Sequence, residues 1–379
     1  MTYILAALVI GSLVYCVLVI VAARNYLAGA PIYTTQTFPP ISILKPLHGL
    51  DDGLAENLIS FFEQDYPHFE ILLAFRTADD PAYGLVKQIC RRYPNVPSRI
   101  LLGGEPPWPN AKVWSLDLMM KAAANDLLVM SDSDILVTPG MLRVIAAEFA
   151  DEKLGVSTCP YRAVPGESLW SKLEALGMNT EFLGGILVAR MLEGMRFAVG
   201  PTIAARRSVI EEIGGWDLLR QYLAEDFVLG QFAAEAGHGV GLSSYVVEHW
   251  IGSEPLRSNA LHRIRWNRST RRSRPWGYVG QLFTNPLPLA LLLVLWAPGW
   301  WPLLLLTVLV RAAAGAATAV AILKDPLSRC LWFLVPLQDL VSFVFWIAGF
   351  FGKTIVWRGI LYKLLADGKF ELLARGRED

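Results

Sequence analysis

The position of its apolar runs constrains this chain more than anything else in it. From Thr2 to Ala23 the sequence is almost wholly apolar, and Arg24 closes the run. About 20 such residues span a bilayer as a helix. The competing reading is a cleaved signal peptide, but no basic stretch precedes the apolar core. An uncleaved anchor over 1–24 is therefore expected, with the next region cytoplasmic because cationic flanks stay on that side. Apolar character returns at Pro286–Val310, runs on to Leu323, and recurs over Cys330–Gly352. After Gly352 come Lys353, Arg358, Lys363, Lys369, Arg375 and Arg377. This reads 353–379 as a basic cytoplasmic tail and requires an even number of C-terminal spans. Two are expected within 285–352, at roughly 300–323 and 330–351. Pro298 and Pro302 break the first block, which could hold one span plus an interfacial helix or two short spans; the favoured reading lays 286–297 shallow in the membrane. Arg311 and Asp339 fall inside these runs, where a charge is costly without a partner. An Arg–Asp pair between neighbouring helices answers that, and a lipid headgroup contact is the alternative.

Bulk properties agree. Hydrophobic residues make up 54% of the chain and there are 13 Trp, a residue favoured at membrane interfaces. Mean hydropathy is +0.39. Lys plus Arg and Asp plus Glu are each 34, so net charge says little about partners. Four scattered Cys without a CxxC pair argue against a disulfide framework or zinc site, and for a reducing compartment.

Residues 38–278 read as a water-soluble domain. Strand-like and helix-like stretches alternate: ISILKPL (Ile41–Leu47), LAENLISFFEQ (Leu54–Gln64), FEILLAFR (Phe69–Arg76), a helix over about 82–93, RILLG (Arg99–Gly103), a helix over 113–124, DLLVMS (Asp126–Ser131) and a helix over 139–149. Such βα alternation predicts an α/β fold with a mostly parallel, Rossmann-like sheet, whose ligands sit beyond the carboxyl ends of the strands. GxGxxG and Walker lysine motifs are missing, which argues against dinucleotide and P-loop chemistry.

Asp132 and Asp134 stand at such a strand end, as do Asp79 and Asp80. One residue apart in an extended segment, Asp132 and Asp134 would face the same side. They could then share Mg²⁺ or Mn²⁺, whose remaining ligands come from a substrate diphosphate. The competing reading is a solvated Asp-Ser-Asp turn. Glu225 and Asp226 interrupt another apolar stretch and are candidate catalytic carboxylates: either a helix start, or a general base removing a hydroxyl proton. Between Arg257 and Arg274 lie seven arginines with His262 and Trp266 among them. Arg271, Arg272 and Arg274 read as a juxtamembrane cluster for anionic lipids, Arg265 and Trp266 as a diphosphate contact with an adjacent stacking group. Nucleic acid is a poor alternative beside a bilayer in a neutral chain.

In order, ADDPA (Ala78–Ala82), DSD (Asp132–Asp134), AED (Ala224–Asp226) and HRIRW (His262–Trp266) resemble the four motifs of metal-dependent inverting glycosyltransferases of GT-A fold. The likeness is nearer to ceramide glucosyltransferases and bacterial hopanoid-biosynthesis glycosyltransferases. It is carried also by ILKPLHGLDDGLAENLISFFEQDYP and the NAK of Asn110–Lys112, and it covers most of the chain. The resemblance implies these roles. Asp79 or Asp80 binds the uridine, and Lys112 lies near the nucleotide. Asp132 and Asp134 hold metal and diphosphate. Asp226 deprotonates the acceptor, Arg265 and Trp266 close over the donor diphosphate and acceptor site, and His262 can donate a hydrogen bond to the diphosphate. His262 departs from the usual Gln or Arg. Together with the missing His near Asn179–Thr180, that tilts the acceptor toward a hopanoid type. The implied reaction moves glucose or N-acetylglucosamine from a UDP-sugar to a membrane lipid hydroxyl. The implied location is a bacterial-type inner membrane, with the catalytic domain cytoplasmic. The apolar stretch Leu169–Met195, within an interfacial segment near 166–198, would form the acceptor's entrance, or else an ordinary core helix pair. A processive polysaccharide synthase shares the motifs but needs a channel; a non-catalytic scaffold or lipid-binding protein would not need the carboxylates.

Overall fold

The computed structural model describes residues 1–29, 38–357 and 360–374. Arg358, Arg375 and Arg377 of the expected basic tail lie outside them. The chain divides into two compact units: Pro31–Tyr161 with Met195–Trp250, and Met1–Ala30 with Arg162–Gly194 and Ile251–Asp379.

The first unit is built on a seven-stranded sheet. Its strands run, edge to edge, Ser98–Leu102, Phe69–Phe75, Ile41–Pro46, Leu127–Ser131, Thr202–Arg206, Leu154–Thr158 and Gly239–Leu242. The first four are parallel, with Ile41 opposite both Phe69 and Leu127. Ile41–Pro46 is buried along almost its whole length, which is why it reads as a continuous apolar run. Thr202–Arg206 is antiparallel to both of its neighbours, and Leu154–Thr158 pairs parallel with Gly239–Leu242. The four expected strands are present to within a residue at each end, and the four expected helices to within two. Leu44, Leu72, Val113, Met119, Leu128, Ile203, Trp216 and Leu229 fill one side of the sheet.

The second unit gathers the apolar helices. Among the described residues three are long and apolar enough to cross a membrane: Thr2–Ala28, Pro298–Ile322 and Trp332–Gly349. A fourth crossing is present if Pro275–Phe283 and Pro286–Trp296, bent by 54°, count as one. Ala6 and Val9 pack on Leu289, Ala290 and Leu293. Arg311 and Asp339 do pair: Arg311 Nη2 reaches Asp339 Oδ1 at 2.9 Å, and it also donates to Thr180 Oγ1 at 3.1 Å. Both charges are buried, so neither can fall back on solvent. Arg311→Met should therefore cost about 3–5 kcal/mol, while Arg311→Met with Asp339→Leu should recover most of it. Thermal unfolding of the detergent-solubilised protein measures both.

Two features differ from the sequence reading. The helix Leu256–Ser273, with Arg265 and Trp266 on it, groups with the membrane helices rather than with the sheet unit. Its arginines explain why. Arg268 Nε donates to Phe351 O at 2.8 Å and Nη1 to Thr354 O at 2.6 Å; Arg271 reaches Phe350 O and, at 3.0 Å, Gly352 O. These carbonyls follow the end of the Val335–Gly349 helix, where backbone acceptors lack intrahelical partners. Arg274 pairs with Glu193 at 2.9 Å. Arg271 and Arg274 are thus held by protein, not left as a lipid-facing cluster. The expected tail also has structure: Thr354–Trp357, Ile360–Leu364 and Phe370–Ala374 form an antiparallel sheet.

Candidate active site

The candidate site is assembled at the carboxyl end of Leu127–Ser131. Ser131 is the last ladder residue, its hydroxyl 2.9 Å from Thr202 Oγ1, and Asp132 N donates to Pro201 O. The chain does not run on extended. Ser133 and Asp134 turn before the short strand Ile135–Leu136, so the two carboxylates take different partners. Asp132 Oδ1 lies 2.7 Å from Lys112 Nζ, and Asp134 Oδ2 3.1 Å from His249 Nε2. His249 reaches Asp134 because its strand pairs with Ile135–Leu136, His249 standing opposite Ile135.

Lys112 owes its place to Asn110. The Asn110 side chain caps the helix Ala111–Ala122 by accepting from Lys112 N and Val113 N. Its amide nitrogen donates to Tyr222 O and to Glu225 Oε2, tying that helix to the start of Glu225–Glu235. Lys112 Nζ then bridges Asp132 and Glu225, the latter at 3.1 Å. Asp226, next in the same first helical turn, accepts from Gly200 N at 2.5 Å. Lys112, Asp132, Glu225 and Asp226 line one cavity of about 20 Å³, walled by Met130, Ile203 and Trp216.

Burial sets the charges. It pushes Asp226 up, helped by the neighbouring Glu225 and opposed by Lys112, to about 6. Asp132 is raised by burial against the pull of Lys112. Asp134 is held below the usual carboxylate value, because His249 and its hydrogen bond outweigh burial. Burial opposes the charge on Lys112, yet Asp132 and Glu225 win and hold it above the ordinary lysine range.

The other expected residues fall as follows. Asp80 accepts from Gly49 N at 3.0 Å and Ala82 N at 2.9 Å, with His48 at 3.6 Å; Asp79, beside it, is exposed. His262, Arg265 and Trp266 belong to the other unit. There His262 stands 4.7 Å from Trp266, and the Arg265 guanidinium lies 5.8 Å from the Trp357 ring. Sequence reasoning missed Lys45 and His249. Lys45 is fully buried, 3.9 Å from the Phe61 ring centre, and donates to the Asp132 carbonyl; burial drives it down to about 7. A lysine in the middle of an apolar parallel strand was the available signal.

The model of glycosyl transferase family 21 matches residues 3–370. The chain belongs to glycosyl transferase family 21. Ceramide glucosyltransferase 1 of Caenorhabditis elegans is 30% identical over 211 residues, 55% of this chain and 45% of the relative. Ceramide glucosyltransferase 3 of the same organism is 29% identical over 61% of this chain and 50% of its own length. This family 21 chain thus spans about half the length of these relatives. A mannosyltransferase from Pyrobaculum calidifontis, solved with GDP-Man and Mn2+, aligns with a TM-score of 0.55 at 17% identity, covering 92% of this chain and 97% of that one. At that identity the likeness speaks for the fold. This family 21 member has a GT-A fold, with apolar helices at its N-terminus and in its C-terminal region.

Proposed function

We propose that this protein is an inverting glycosyltransferase of glycolipid synthesis, moving a sugar from a UDP-sugar to the hydroxyl of a membrane lipid. The sugar is glucose or N-acetylglucosamine, and the acceptor a ceramide or a hopanoid-type polyol. The named relatives favour the ceramide. The observation that carries the reading is Asp226, a carboxylate of raised pKa in the same cavity as Asp132 and Lys112. A base poised near the working pH and a cation beside a strand-end carboxylate are what displacement of a diphosphate by a hydroxyl needs.

Asp226 takes the hydroxyl proton as the lipid oxygen bonds to the anomeric carbon and the bond from that carbon to the diphosphate breaks. Attack from the opposite face turns an α-linked donor into a β-glycoside. Lys112 offsets charge on the departing diphosphate, and Glu225 keeps Lys112 in place. Asp79 or Asp80 meets the uridine; exposed Asp79 is the freer of the two, since Asp80 is engaged by the Gly49 and Ala82 amides.

A divalent cation fits the donor set. Asp134 Oδ1 is buried without a hydrogen-bond partner, and the Asp134 charge helps to raise the Asp132 carboxyl. Among the described residues no group of three or more His, Cys, Asp or Glu could hold a metal, so diphosphate and water would complete the shell. Asp132 and Asp134 would hold Mg²⁺ or Mn²⁺, which neutralises the leaving diphosphate when bound. The sheet unit would lie on the cytoplasmic side of a bacterial-type inner membrane, following Arg24 and the basic residues beyond Gly352.

Membranes incubated with a panel of UDP-sugars plus ceramide or a polyol hopanoid, then analysed by mass spectrometry of the extracted lipid, test the reading. One glycosylated lipid is expected. Polymeric product would favour a synthase, and no product with any pair would sink the proposal. The rate should also depend on pH in a known direction. Protonated Asp226 cannot accept a proton, so initial UDP release should fall as pH drops through about 6 and level off above it. A rate that stays flat from neutral pH well into the acid range would remove Asp226 as the base.

A further inference from the structure

The membrane-helix unit contains a buried acid that the chemistry above leaves unused. Glu174, on the helix Leu169–Gly177, has a side chain only 6% exposed. Its Oε1 faces His262 Nδ1 at 2.8 Å, and its Oε2 accepts from Asn259 Nδ2, one turn earlier on the Leu256–Ser273 helix. A carboxylate only accepts, so Nδ1 carries the hydrogen, and Nε2 is left to bond a ligand. The His262 side chain is 32% exposed, and its Nε2 has no hydrogen-bond partner among the described residues. Trp266, one turn on, meets the imidazole edge-on, and the Phe182 ring lies 6.2 Å from the Trp266 ring.

An imidazole anchored by a buried carboxylate, a third exposed and set against Trp266, suits a hydroxyl on an apolar body. A hydroxyl both donates and accepts, so it can bond Nε2 as either donor or acceptor. We propose that Glu174 and His262 hold a hydroxyl of the acceptor lipid's headgroup: His262 Nε2 hydrogen-bonds that hydroxyl, and Glu174 is the positioning residue that fixes the ring. This rests on the lipid-glycosylation reading, and it departs from the diphosphate contact expected for His262 from sequence.

The test is a double-mutant cycle on the full-length protein, with the UDP-sugar and the ceramide or hopanoid that the mass-spectrometric screen identifies. Glu174→Gln and His262→Phe should each raise the KM for the lipid about tenfold and leave that for the UDP-sugar within about twofold, the scale of one lost hydrogen bond. The double variant should be no worse than either single one, because both remove the same contact. A purely structural Glu174 would instead add its loss to that of His262→Phe, and additive losses overturn the proposal. So does a shift that falls on the UDP-sugar KM, or no shift in either. Should Glu174→Gln fail to fold, His262→Phe alone decides between lipid and nucleotide, since it keeps a ring against Trp266. Wild-type protein that transfers no sugar to any lipid would overturn the underlying reading instead.

Discussion

Asp226→Asn should reduce sugar transfer by about 10²- to 10⁴-fold, the usual worth of a positioned general base, while UDP still binds. The substitution changes little else. Asparagine keeps an oxygen to accept the Gly200 amide and leaves the Lys112 bridge between Asp132 and Glu225 untouched. The fold should tolerate it, and the sign of the pKa shift says why. A carboxyl raised above its ordinary value in the fold is a burden above that value, relieved only as pH falls. A neutral amide removes the burden, so the unfolding temperature should match or exceed that of wild type. Loss of turnover with intact thermal stability and intact UDP binding by calorimetry is the expected pattern. Transfer within about tenfold of wild type would assign the proton to another group.

Asp132→Asn and Asp134→Asn should each lower transfer on the order of 10²–10³-fold, the scale of removing one preorganised electrostatic contact to a charged transition state. The two should differ in a second readout. Asp132 is engaged by Lys112 at 2.7 Å, so its removal leaves the ammonium with Glu225 alone. Asp134 has one oxygen on His249 and one buried without a partner. Asp134→Asn should therefore weaken Mn²⁺ binding in the presence of UDP, measured by electron paramagnetic resonance, and lower the unfolding temperature through loss of the His249 pair. Transfer that persists at wild-type rates in both variants, and that chelators do not inhibit, would end the case for the strand-end carboxylates.

The sheet and the spans were legible because each leaves a one-dimensional mark. Strands covered on both faces, such as Ile41–Pro46, read as unbroken apolar runs, and the membrane helices read as longer ones. The acids were visible singly, but their union was not. Lys112, Asp132 and Glu225 meet only because the helix capped by Asn110 and the helix beginning at Glu225 close on the end of one strand. No local pattern marks His249 as the partner of Asp134; the pairing follows from the strand register. The C-terminal sheet is marked in the sequence only by a turn signal among basic residues. Asp367 and Gly368, at φ of 60° and 77°, form the kind of tight turn that Asp-Gly signals between strands. The helix Leu256–Ser273 was assigned to the soluble domain by polarity, though its guanidinium groups serve carbonyls that follow a membrane helix.

That last arrangement governs where the protein can be cut. A fragment trimmed at residue 278, the boundary that polarity suggests, would keep Arg268 and Arg271 but discard Phe350, Phe351 and Gly352, the backbone oxygens those side chains bind. Arg263 would lose Ser342 as well. Three cations would be set loose on one short helix, along with the apolar surface that covers it. Work on a truncated, detergent-free enzyme is best begun by accepting that the arginine-bearing helix travels with the bilayer segment, not with the sheet.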